Sequence, residues 1–254
     1  MSIEKDPTIS IIVPTLNEEK HIGFLLSSLK DQSSVGFEAL MVDGGSNDKT
    51  SDIARLYHSK VVSLPGCDEF ASRNVGAKMA KGKFLFFTCA DIILPSDILP
   101  KIVEKFEENP ELIALTGPGY PFDAPFFGKV EYIVYNIARY VFTKLPKLFK
   151  RFSTSTNFLV VKKDYFDKTG GFDVGDINAD GLMGKKLLHV GEVAFFLDTY
   201  IYLSARRMKN MGFLDFNKHY LYAFENLFFF LSKTKLMKNL KLRSKVKHRK
   251  MHET

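Results

Sequence analysis

The sequence predicts an α/β fold with a mostly parallel central sheet flanked by helices. Short β-branched apolar runs alternate with longer segments of helical period through the first half of the chain. Two of the apolar runs end abruptly in polar and acidic residues, at 14–19 and at 43–50. A chain of 254 residues can bury a large core, so we expect one α/β domain with appended elements.

The predicted elements follow one another as strand, helix, strand. Strands are predicted at residues 9–13, 39–42, 61–64, 84–88, 112–115 and 158–161. Apolar residues recur at helical spacing at residues 18–29, 49–57, 68–80, 95–108 and 182–190. Because strands that alternate with helices usually pair in parallel, this order predicts the central sheet. The regular alternation ends after residue 115.

Residues 120–152 interrupt the alternation with three prolines among many aromatic residues. We interpret them as an inserted helical subdomain that can lie at an interface. Residues 126–152 carry six basic residues against one acidic residue, and residues 232–252 carry nine basic residues and no acidic one. We therefore divide the chain into a domain at 1–215, which includes the insertion, and a basic amphipathic helical segment at 216–254.

The two basic segments predict a polyanionic surface as partner. Apolar side chains in residues 220–231 are spaced to share one helical face. Amphipathic helices of this kind bind anionic lipid, and each basic residue near the surface contributes about 1 kcal/mol. The alternative is a solvated charged tail beside a core helix, since aromatic stripes usually face protein cores. Nucleic acid is not expected, because no recognised binding motif accompanies the charge.

The sequence favours a cytoplasmic protein that associates peripherally with the inner face of the cell membrane. Its longest apolar stretches, such as residues 227–231, are far shorter than the roughly 20 residues that a membrane-spanning helix needs. Two cysteines are too few for a disulfide framework. We also find no basic leader followed by an apolar core and a cleavage site, so we expect a reducing compartment.

Two segments in a fixed order carry the strongest functional signal. The first is P-T-L-N-E at residues 14–18, and the second is D-G-G-S-N-D-K-T at residues 43–50. Both follow buried strands, and ligands of open α/β sheets bind at the carboxyl ends of the strands. The glycines alone would indicate no more than a turn. The two segments together favour a nucleotide-binding site.

With these motifs the chain resembles the family 2 glycosyltransferases of the GT-A fold, over residues 9–207. The resemblance implies a nucleotide-diphospho-sugar transferase, which moves a sugar from a nucleoside diphosphate sugar to an acceptor. It assigns the first nucleotide-binding segment to Pro14, Thr15, Asn17 and Glu18. Asp43 resembles the carboxylate that accepts hydrogen bonds from the nucleobase, while Ser46, Asp48 and Thr50 are expected to cap the following helix.

Two further segments resemble donor-side motifs of this family. The segment at 71–77 is similar to its A-R-N-x-G-A helix, from which Arg73 would reach phosphate or sugar with a fixed fork of donors. The family's D-x-D motif, which holds a divalent cation on the diphosphate, is Cys89-Ala90-Asp91 here. Mg²⁺ or Mn²⁺ prefers oxygen ligands, so we expect the cation at Asp91. Its binding is weakened by Cys89, a poor ligand for these metals that we interpret as a small buried hydrophobe.

The segment at the start of the helix at 182–190 resembles the family's E-D-x-x-L-x-x-R-L-x-x-x-G motif. Counting back from Gly191 places the family's catalytic base on Asp180, with Ala179 in place of the preceding glutamate. An aspartate at a helix start is also an ordinary N-cap, and the two roles are compatible. Asp176 is the second candidate. Direct attack by the acceptor, with the base removing its proton, would invert the anomeric configuration.

The segment S-A-R-R at 204–207 is similar to one that follows the base helix in a subset of these enzymes. Arg206 and Arg207 would there stabilise the charge on the departing diphosphate. The alternative is a basic stretch that leads to the membrane-binding segment. The acceptor is expected to be lipid-linked or close to a membrane, because the two basic segments are rich in aromatic residues.

A second class of protein stays open. The residues at 89 and 179 replace two family carboxylates, which leaves room for a non-catalytic nucleotide-sugar or lipid-binding protein that kept the fold. A nucleotidyltransferase is disfavoured, since the chain lacks a glycine-rich activating loop near residue 14. The sequence does not determine the base and sugar of the donor, the acceptor or the oligomeric state.

Overall fold

The computed structural model describes residues 6–32, 34–150, 153–175 and 179–211. Its strands are β1 (Ile9–Thr15), β2 (Phe37–Asp43), β3 (Lys60–Ser63), β4 (Phe84–Phe87), β5 (Ile92–Ile93), β6 (Leu112–Thr116), β7 (Gly119–Pro121), β8 (Leu159–Lys162), β9 (Glu192–Phe195) and β10 (Ile201–Leu203). Its helices are α1 (Ile22–Lys30), α2 (Thr50–Leu56), α3 (Glu69–Met79), α4 (Ile98–Glu108), α5 (Phe126–Lys144), α6 (Lys147–Lys150), α7 (Lys163–Lys168), α8 (Ala179–Val190) and α9 (Arg206–Met211).

Seven strands form the central sheet, in the order β3-β2-β1-β4-β8-β6-β9. The pairs β1–β2, β1–β4, β2–β3 and β6–β9 are parallel, whereas β8 is antiparallel to both of its neighbours. The prediction of a mostly parallel α/β sheet flanked by helices is therefore confirmed. Strand β8 is the first strand after the insertion. The chain leaves the insertion and enters the sheet in the direction opposite to that of β4 and β6.

Alternating residues of β1 enter two separate apolar clusters. Ile9, Ile11 and Val13 belong to a cluster that includes residues of α1 and α4. Ile12 belongs to a second cluster, which includes residues of α3, α7 and α8. Since successive side chains of a strand point to opposite faces of a sheet, helices cover both faces of the sheet. The site at the end of β1 is thus built on a strand held from both sides.

Helix α3 packs very closely on the middle of the sheet. A Cβ atom added at Gly76 would lie 2.5 Å from Cγ2 of Ile12 and 3.3 Å from Cγ2 of Val42. Real Cβ atoms do not approach other atoms so closely, so glycine is required for this packing. The close approach sets the position of the helix that carries Arg73.

Several element boundaries differ from the predicted ones by two to four residues, and two of them lie beside the site. Strand β1 continues through Pro14 and Thr15, because its pairing with β4 ends at Ile12 and a proline without an N–H group is tolerated beside a single neighbour. Helix α1 begins at Ile22 rather than at residue 18. The intervening backbone N–H groups of Glu18 and Glu19 donate to side chains of the neighbouring loop instead.

The insertion is helical, as expected, and contains the 19-residue helix α5 together with α6. The small sheet β5-β10-β7 lies beside it and was not predicted, because strands of two or three residues carry no readable period. Within the described ranges no helix combines the length and the hydropathy needed to cross a bilayer. The predicted basic segment at 216–254 lies outside the described residues.

Candidate active site

The candidate site lies at the carboxyl ends of β1, β2 and β4, as expected for an open α/β sheet. Two loops meet there. Asn17, whose φ of 53° places it in the left-handed region, donates its N–H to Oγ of Ser46 over 2.9 Å. In return, Oδ1 of Asn17 accepts the N–H of Asn47 over 2.9 Å. The two predicted nucleotide-binding segments therefore bond directly to each other.

The carboxylate of Asp43 holds the second loop in place. Its Oδ1 accepts the N–H and the hydroxyl of Ser46, over 3.1 and 2.5 Å, and its Oδ2 accepts the hydroxyl of Ser51 over 2.7 Å. The residue is buried at the end of β2. Beside it, Oγ1 of the buried Thr15 has no hydrogen-bond partner among the described residues. A buried polar atom in that state is uncommon in proteins, so Thr15 is a notable feature of this sheet edge.

Asp48 and Thr50, two of the residues expected to cap α2, accept hydrogen bonds from the first loop. Oδ1 of Asp48 accepts the N–H of Thr50 over 2.9 Å, and its Oδ2 accepts the N–H of Glu19 over 3.1 Å. Oγ1 of Thr50 accepts the N–H of Glu18 over 2.7 Å. Burial raises the pKa of Asp48, but hydrogen bonds from the Thr50 hydroxyl and from the N–H groups of Thr50 and Glu19 outweigh it and leave the pKa below its usual value. The sequence had predicted only a capping role for Ser46, Asp48 and Thr50. Of these, Asp48 bonds the first N–H of α2, whereas the N-cap position is Lys49, which makes no side-chain capping bond.

Arg206 joins the ends of β1 and β4 through two carboxylates. Its terminal nitrogens donate to both oxygens of Glu18, over 2.5 and 2.6 Å, and its Nε lies 2.9 Å from Oδ2 of Asp91. The ring nitrogen Nδ1 of His21 lies 3.1 Å from Nη1 of the same guanidinium. Burial raises the pKa of Glu18, with Arg206 opposing the shift and Asp91 adding to it. Residues predicted for nucleotide, metal and leaving group thus form one cluster.

Arg73 faces the interior rather than an open cleft. It is fully buried, and its terminal nitrogens donate to the carbonyl of Thr88 over 2.9 Å and to Oε1 of Glu69 over 2.7 Å. Its Nη2 also lies 3.5 Å from Sγ of Cys89, which donates to Oδ1 of Asn157 over 3.1 Å. In this position the guanidinium organises the end of β4. The predicted reach to phosphate or sugar stays a prediction.

Cys89 is a neutral thiol in this environment. Burial raises its pKa to about 12, with the charge of Arg73 opposing the shift. A protonated thiol does not bind Mg²⁺ or Mn²⁺, which prefer oxygen. In the part of the chain that the structure describes, no group of three or more His, Cys, Asp or Glu residues could hold a metal ion. In the segment that corresponds to D-x-D, Asp91 is thus the one carboxylate, because Cys89 stands at the other position.

Asp180 lies in the first turn of α8, half-buried. Thr156 hydrogen-bonds its carboxylate through both its hydroxyl and its backbone N–H, while Oδ1 of Asp180 has no partner among the described residues. Burial raises the pKa of Asp180, and the charge of Glu69 adds to this, against Thr156 and Arg73. One oxygen of the carboxylate is thus buried without a hydrogen-bond partner in the described part of the chain. Asp176, the second candidate for the base, lies outside the described residues.

Two supports of the site were missed in the sequence. Arg139 of α5 donates twice to the carbonyl of Ser153, over 3.0 and 2.8 Å, and so holds the segment that carries Thr156. Asp123 accepts the N–H of Ala205 over 2.6 Å, as well as bonds from Ser204 and Lys209, and so anchors the start of α9. Neither residue belongs to a motif, because its partners lie far away in sequence.

The structure therefore brings most of the predicted residues together. Glu18, Asp91 and Arg206 are in contact, the loop of Asp43 bonds to the loop of Asn17, and Arg73 interacts electrostatically with Asp180. Arg207 follows Arg206 in α9 and is exposed.

Fold and site define the class of open α/β proteins whose ligands bind at the carboxyl edge of the sheet. The chain belongs to Glycosyl transferase family 2, whose pattern it matches over residues 10–170, more than half of its length. An uncharacterized glycosyltransferase of Haemophilus influenzae is 33% identical over 109 residues, 41% of this chain and 36% of that protein. The matched region spans less than half the length of such curated relatives.

Solved structures show the same GT-A fold. S. aureus TarS, as residues 1–349, aligns with a TM-score of 0.66 at 22% identity, covering 78% of this chain and 60% of that one. The mannosyltransferase PcManGT of Pyrobaculum calidifontis, solved with GDP-Man and Mn²⁺, aligns with a TM-score of 0.62 at 20% identity, covering 79% of this chain and 58% of that one. The resemblance in fold is confirmed.

Proposed function

We propose that this protein transfers a sugar from a nucleoside diphosphate sugar to an acceptor hydroxyl. The observation that carries the proposal is the convergence, at one sheet edge, of two cross-linked loops, an arginine bound to two carboxylates and an aspartate with one unpaired oxygen. TarS has been solved with UDP-GlcNAc and PcManGT with GDP-Man, which supports a nucleotide-sugar donor here.

The donor side is formed by residues of the two loops. Pro14, Thr15, Asn17, Glu18 and Asp43 would line the pocket for base and ribose. Thr15 and Asp43 are buried at the strand ends, and the left-handed backbone at Asn17 turns the chain away from β1. The arrangement lies at the carboxyl ends of the strands, where a nucleotide can bind.

The acceptor side uses Asp180 as general base. Its free oxygen removes the proton of the acceptor hydroxyl while the hydroxyl oxygen attacks the anomeric carbon from the face opposite the diphosphate. The bond between that carbon and the phosphate oxygen breaks, and its electron pair leaves with the diphosphate. One such displacement inverts the configuration. Because burial raises the pKa of Asp180, transfer should fall with decreasing pH at a higher pH than an exposed aspartate would give.

Charge on the departing diphosphate is met by Arg206 and Arg207, while Arg73 positions the end of β4. The carboxylate of Asp91 would hold a divalent cation, which supplies positive charge to the diphosphate when it is bound. The position suits a cation, because a guanidinium already pairs with this carboxylate. Mn²⁺ in the PcManGT complex supports the same assignment.

The decisive variant is Asp180→Asn, which keeps the shape of the side chain and removes its basicity. A thermal-shift screen of UDP, GDP and dTDP sugars first identifies the donor, since a ligand that binds the folded state raises its stability. Single-turnover transfer should then fall by a factor of about 10² to 10⁴, with donor binding unchanged. Asp52→Asn, an exposed aspartate of α2, is the control and should transfer at the wild-type rate.

Equal transfer rates in wild type and Asp180→Asn would remove Asp180 from the mechanism. A wild-type protein that binds a donor and transfers nothing to any acceptor, water included, would favour the non-catalytic binding protein instead.

The acceptor is proposed to be lipid-linked and presented at an anionic membrane. Helix α5 exposes a row of apolar side chains on one face, with Phe126 and Phe127 both 74% exposed. Further residues of this row are Val130, Ile133, Val134, Ile137, Val141 and Leu145. The exposed Lys129 and Lys144 lie on the same helix. An apolar row with flanking lysines fits the boundary between anionic headgroups and acyl chains.

A further inference from the structure

All three nitrogens of the Arg206 guanidinium have partners among the described residues. Two of its nitrogens hold the carboxylate of Glu18, over 2.5 and 2.6 Å, and the third holds Asp91 over 2.9 Å. Nη1 also contacts Nδ1 of His21 over 3.1 Å. A guanidinium has five N–H donors in a fixed fork, so this arrangement leaves little capacity for a phosphate. Arg206 as placed here is not free to meet a diphosphate.

The partners of Arg206 come from two different strands. Glu18 follows β1 and Asp91 follows β4, and their side chains are 12% and 16% exposed. Their carboxylates share a single positive charge, so the cluster keeps one excess negative charge when both are ionised. A diphosphate would meet repulsion there, and without Arg206 the two carboxylates would repel each other.

We infer that the guanidinium of Arg206 takes the place of a divalent cation between the carboxylates of Glu18 and Asp91. When a cation binds these carboxylates, it displaces the guanidinium, which is then free to bind the diphosphate. This inference rests on the proposed function and extends it in two ways. It adds Glu18 to Asp91 as an oxygen ligand, and it makes cation binding and the release of Arg206 one exchange.

Charge balance favours exchange over simultaneous binding. A divalent cation on the two carboxylates makes the pair neutral, and the displaced guanidinium then carries a free positive charge. A guanidinium and a metal ion on the same oxygens would repel each other across a few ångströms. The exchange therefore turns a cluster that repels the diphosphate into one that attracts it.

The backbone around Arg206 is anchored, so the exchange is a movement of its side chain. Asp123 accepts the N–H of Ala205 over 2.6 Å and the hydroxyl of Ser204 over 3.0 Å. Met208, two residues further along α9 than Arg206, packs against Gly128 of α5, where an added Cβ would lie 2.7 Å from its sulfur. The helix start stays in place while the long side chain changes partner.

The test measures the affinity of nucleotide-free protein for Mn²⁺ alone. The electron paramagnetic resonance signal of free Mn²⁺ gives the concentration of the unbound ion during the titration. Wild type should bind weakly, since Arg206 must be displaced. Arg206→Gln should bind about tenfold more tightly or better, because no charged hydrogen bonds are lost on binding. Arg55→Gln, which removes the arginine of the exposed pair with Asp52, is the matched control and should bind as wild type does.

Double variants show which carboxylates are ligands. Both Arg206→Gln with Asp91→Asn and Arg206→Gln with Glu18→Gln should lose the gain in Mn²⁺ affinity. Arg206→Lys should show an intermediate gain, because a single ammonium cannot span both carboxylates as the fork does. Circular dichroism and thermal melting show whether Arg206→Gln is folded. If it is not, Arg206→Lys replaces it as the variant that tests the inference.

Unchanged Mn²⁺ affinity in a folded Arg206→Gln or Arg206→Lys protein would overturn the inference. So would a gain that survives Glu18→Gln and Asp91→Asn together. The measurement uses no sugar donor and no acceptor, so failure of the proposed sugar transfer and failure of the exchange are separate results.

Discussion

The two oxygens of Asp180 have different tasks. Thr156 hydrogen-bonds the carboxylate through its hydroxyl and its backbone N–H, whereas Oδ1 is buried and has no partner among the described residues. A carboxylate held at one oxygen presents the other in a fixed direction, and such positioning accounts for a large part of general base catalysis. Thr156 therefore orients the proposed base without touching the substrate.

Replacing Thr156 by valine should slow transfer and move its pH dependence. The hydroxyl stabilises the ionised carboxylate, so its loss should raise the pKa of Asp180 further. The base then stays protonated to a higher pH, and the acidic limb of the pH profile of kcat shifts upward. We expect kcat to fall by about tenfold, the equivalent of one hydrogen bond to a charged group. Stopped assays across the acidic pH range measure both effects.

Thr156→Ser is the matched control, since it keeps the hydroxyl and removes only a methyl group. It should restore the wild-type pH profile. A valine variant with an unmoved acidic limb would show that Thr156 does not act on the base.

Arg73 illustrates how a predicted site residue can be bound by protein groups at the end of a strand. Its side chain is fully buried against Thr88 and Glu69. The i to i+4 spacing of Glu69 and Arg73 on α3 was the one signal in the sequence for this pair. From there Arg73 sets the surroundings of Cys89 and influences Asp180 through its charge.

At the scale of elements, the packing of α3 on β1 depends on one glycine. Gly76→Ala would force the new methyl group against Ile12, whose Cγ2 lies 2.5 Å from its position. Overpacking of this kind should lower the free energy of unfolding by about 1 to 3 kcal/mol. Urea denaturation followed by circular dichroism measures the change.

Gly23→Ala provides the comparison, because Gly23 lies in helix α1 with no atom within 4 Å of the added Cβ. Its stability should stay unchanged or rise by up to about 0.5 kcal/mol through helix propensity. Equal stabilities of the two alanine variants would mean that α3 can shift away from β1 without loss.

Helix α5 connects the proposed acceptor side with the site. Its buried face carries Arg139, which holds Ser153, while its amide Asn136 bonds the backbone of Gly119 in the small sheet. Its first turn packs on α9 through Gly128 and Met208. A single helix thus supports the segments of Asp180 and Arg206 and exposes its opposite face.

At the scale of the whole molecule, the exposed apolar row of α5 predicts binding to anionic vesicles. Phe126→Ser combined with Phe127→Ser should reduce the fraction bound at low salt, by about a hundredfold or more in partition coefficient, since burying each aromatic side chain contributes about 1.5 to 3 kcal/mol. Co-sedimentation with vesicles of phosphatidylserine and phosphatidylcholine measures it. Leu56→Ser removes an apolar residue of α2 that is 77% exposed and should leave binding unchanged.

The basic segment is tested separately by deleting residues 232–254, which carry most of the charge of the C-terminal part. Binding that weakens with salt in the full chain and loses this dependence after the deletion supports an electrostatic contribution. If the full chain is not retained by anionic vesicles at low salt, and the deletion leaves activity unchanged, the membrane proposal is wrong.

The sequence by itself determined the order of strands and helices and the positions of the site motifs at strand ends. These features depend on local periods and on the rule that parallel strands end at a common edge, both of which are properties of short segments. For that reason six strands of the central sheet, the helical insertion and the positions of the loops around Asn17 and Asp43 were predicted, whereas the sheet strand β9 (Glu192–Phe195) was missed.

Only the tertiary structure decided which charged groups meet. Arg206 pairs with Glu18 across 188 positions in sequence, β8 runs against its neighbours, and Arg73 faces inward. The energy of an ion pair depends on distance and burial, and neither is defined until the strands that carry the charges are placed side by side. The sequence therefore predicted where the chemistry lies, and the fold determined which of the predicted residues are in contact there.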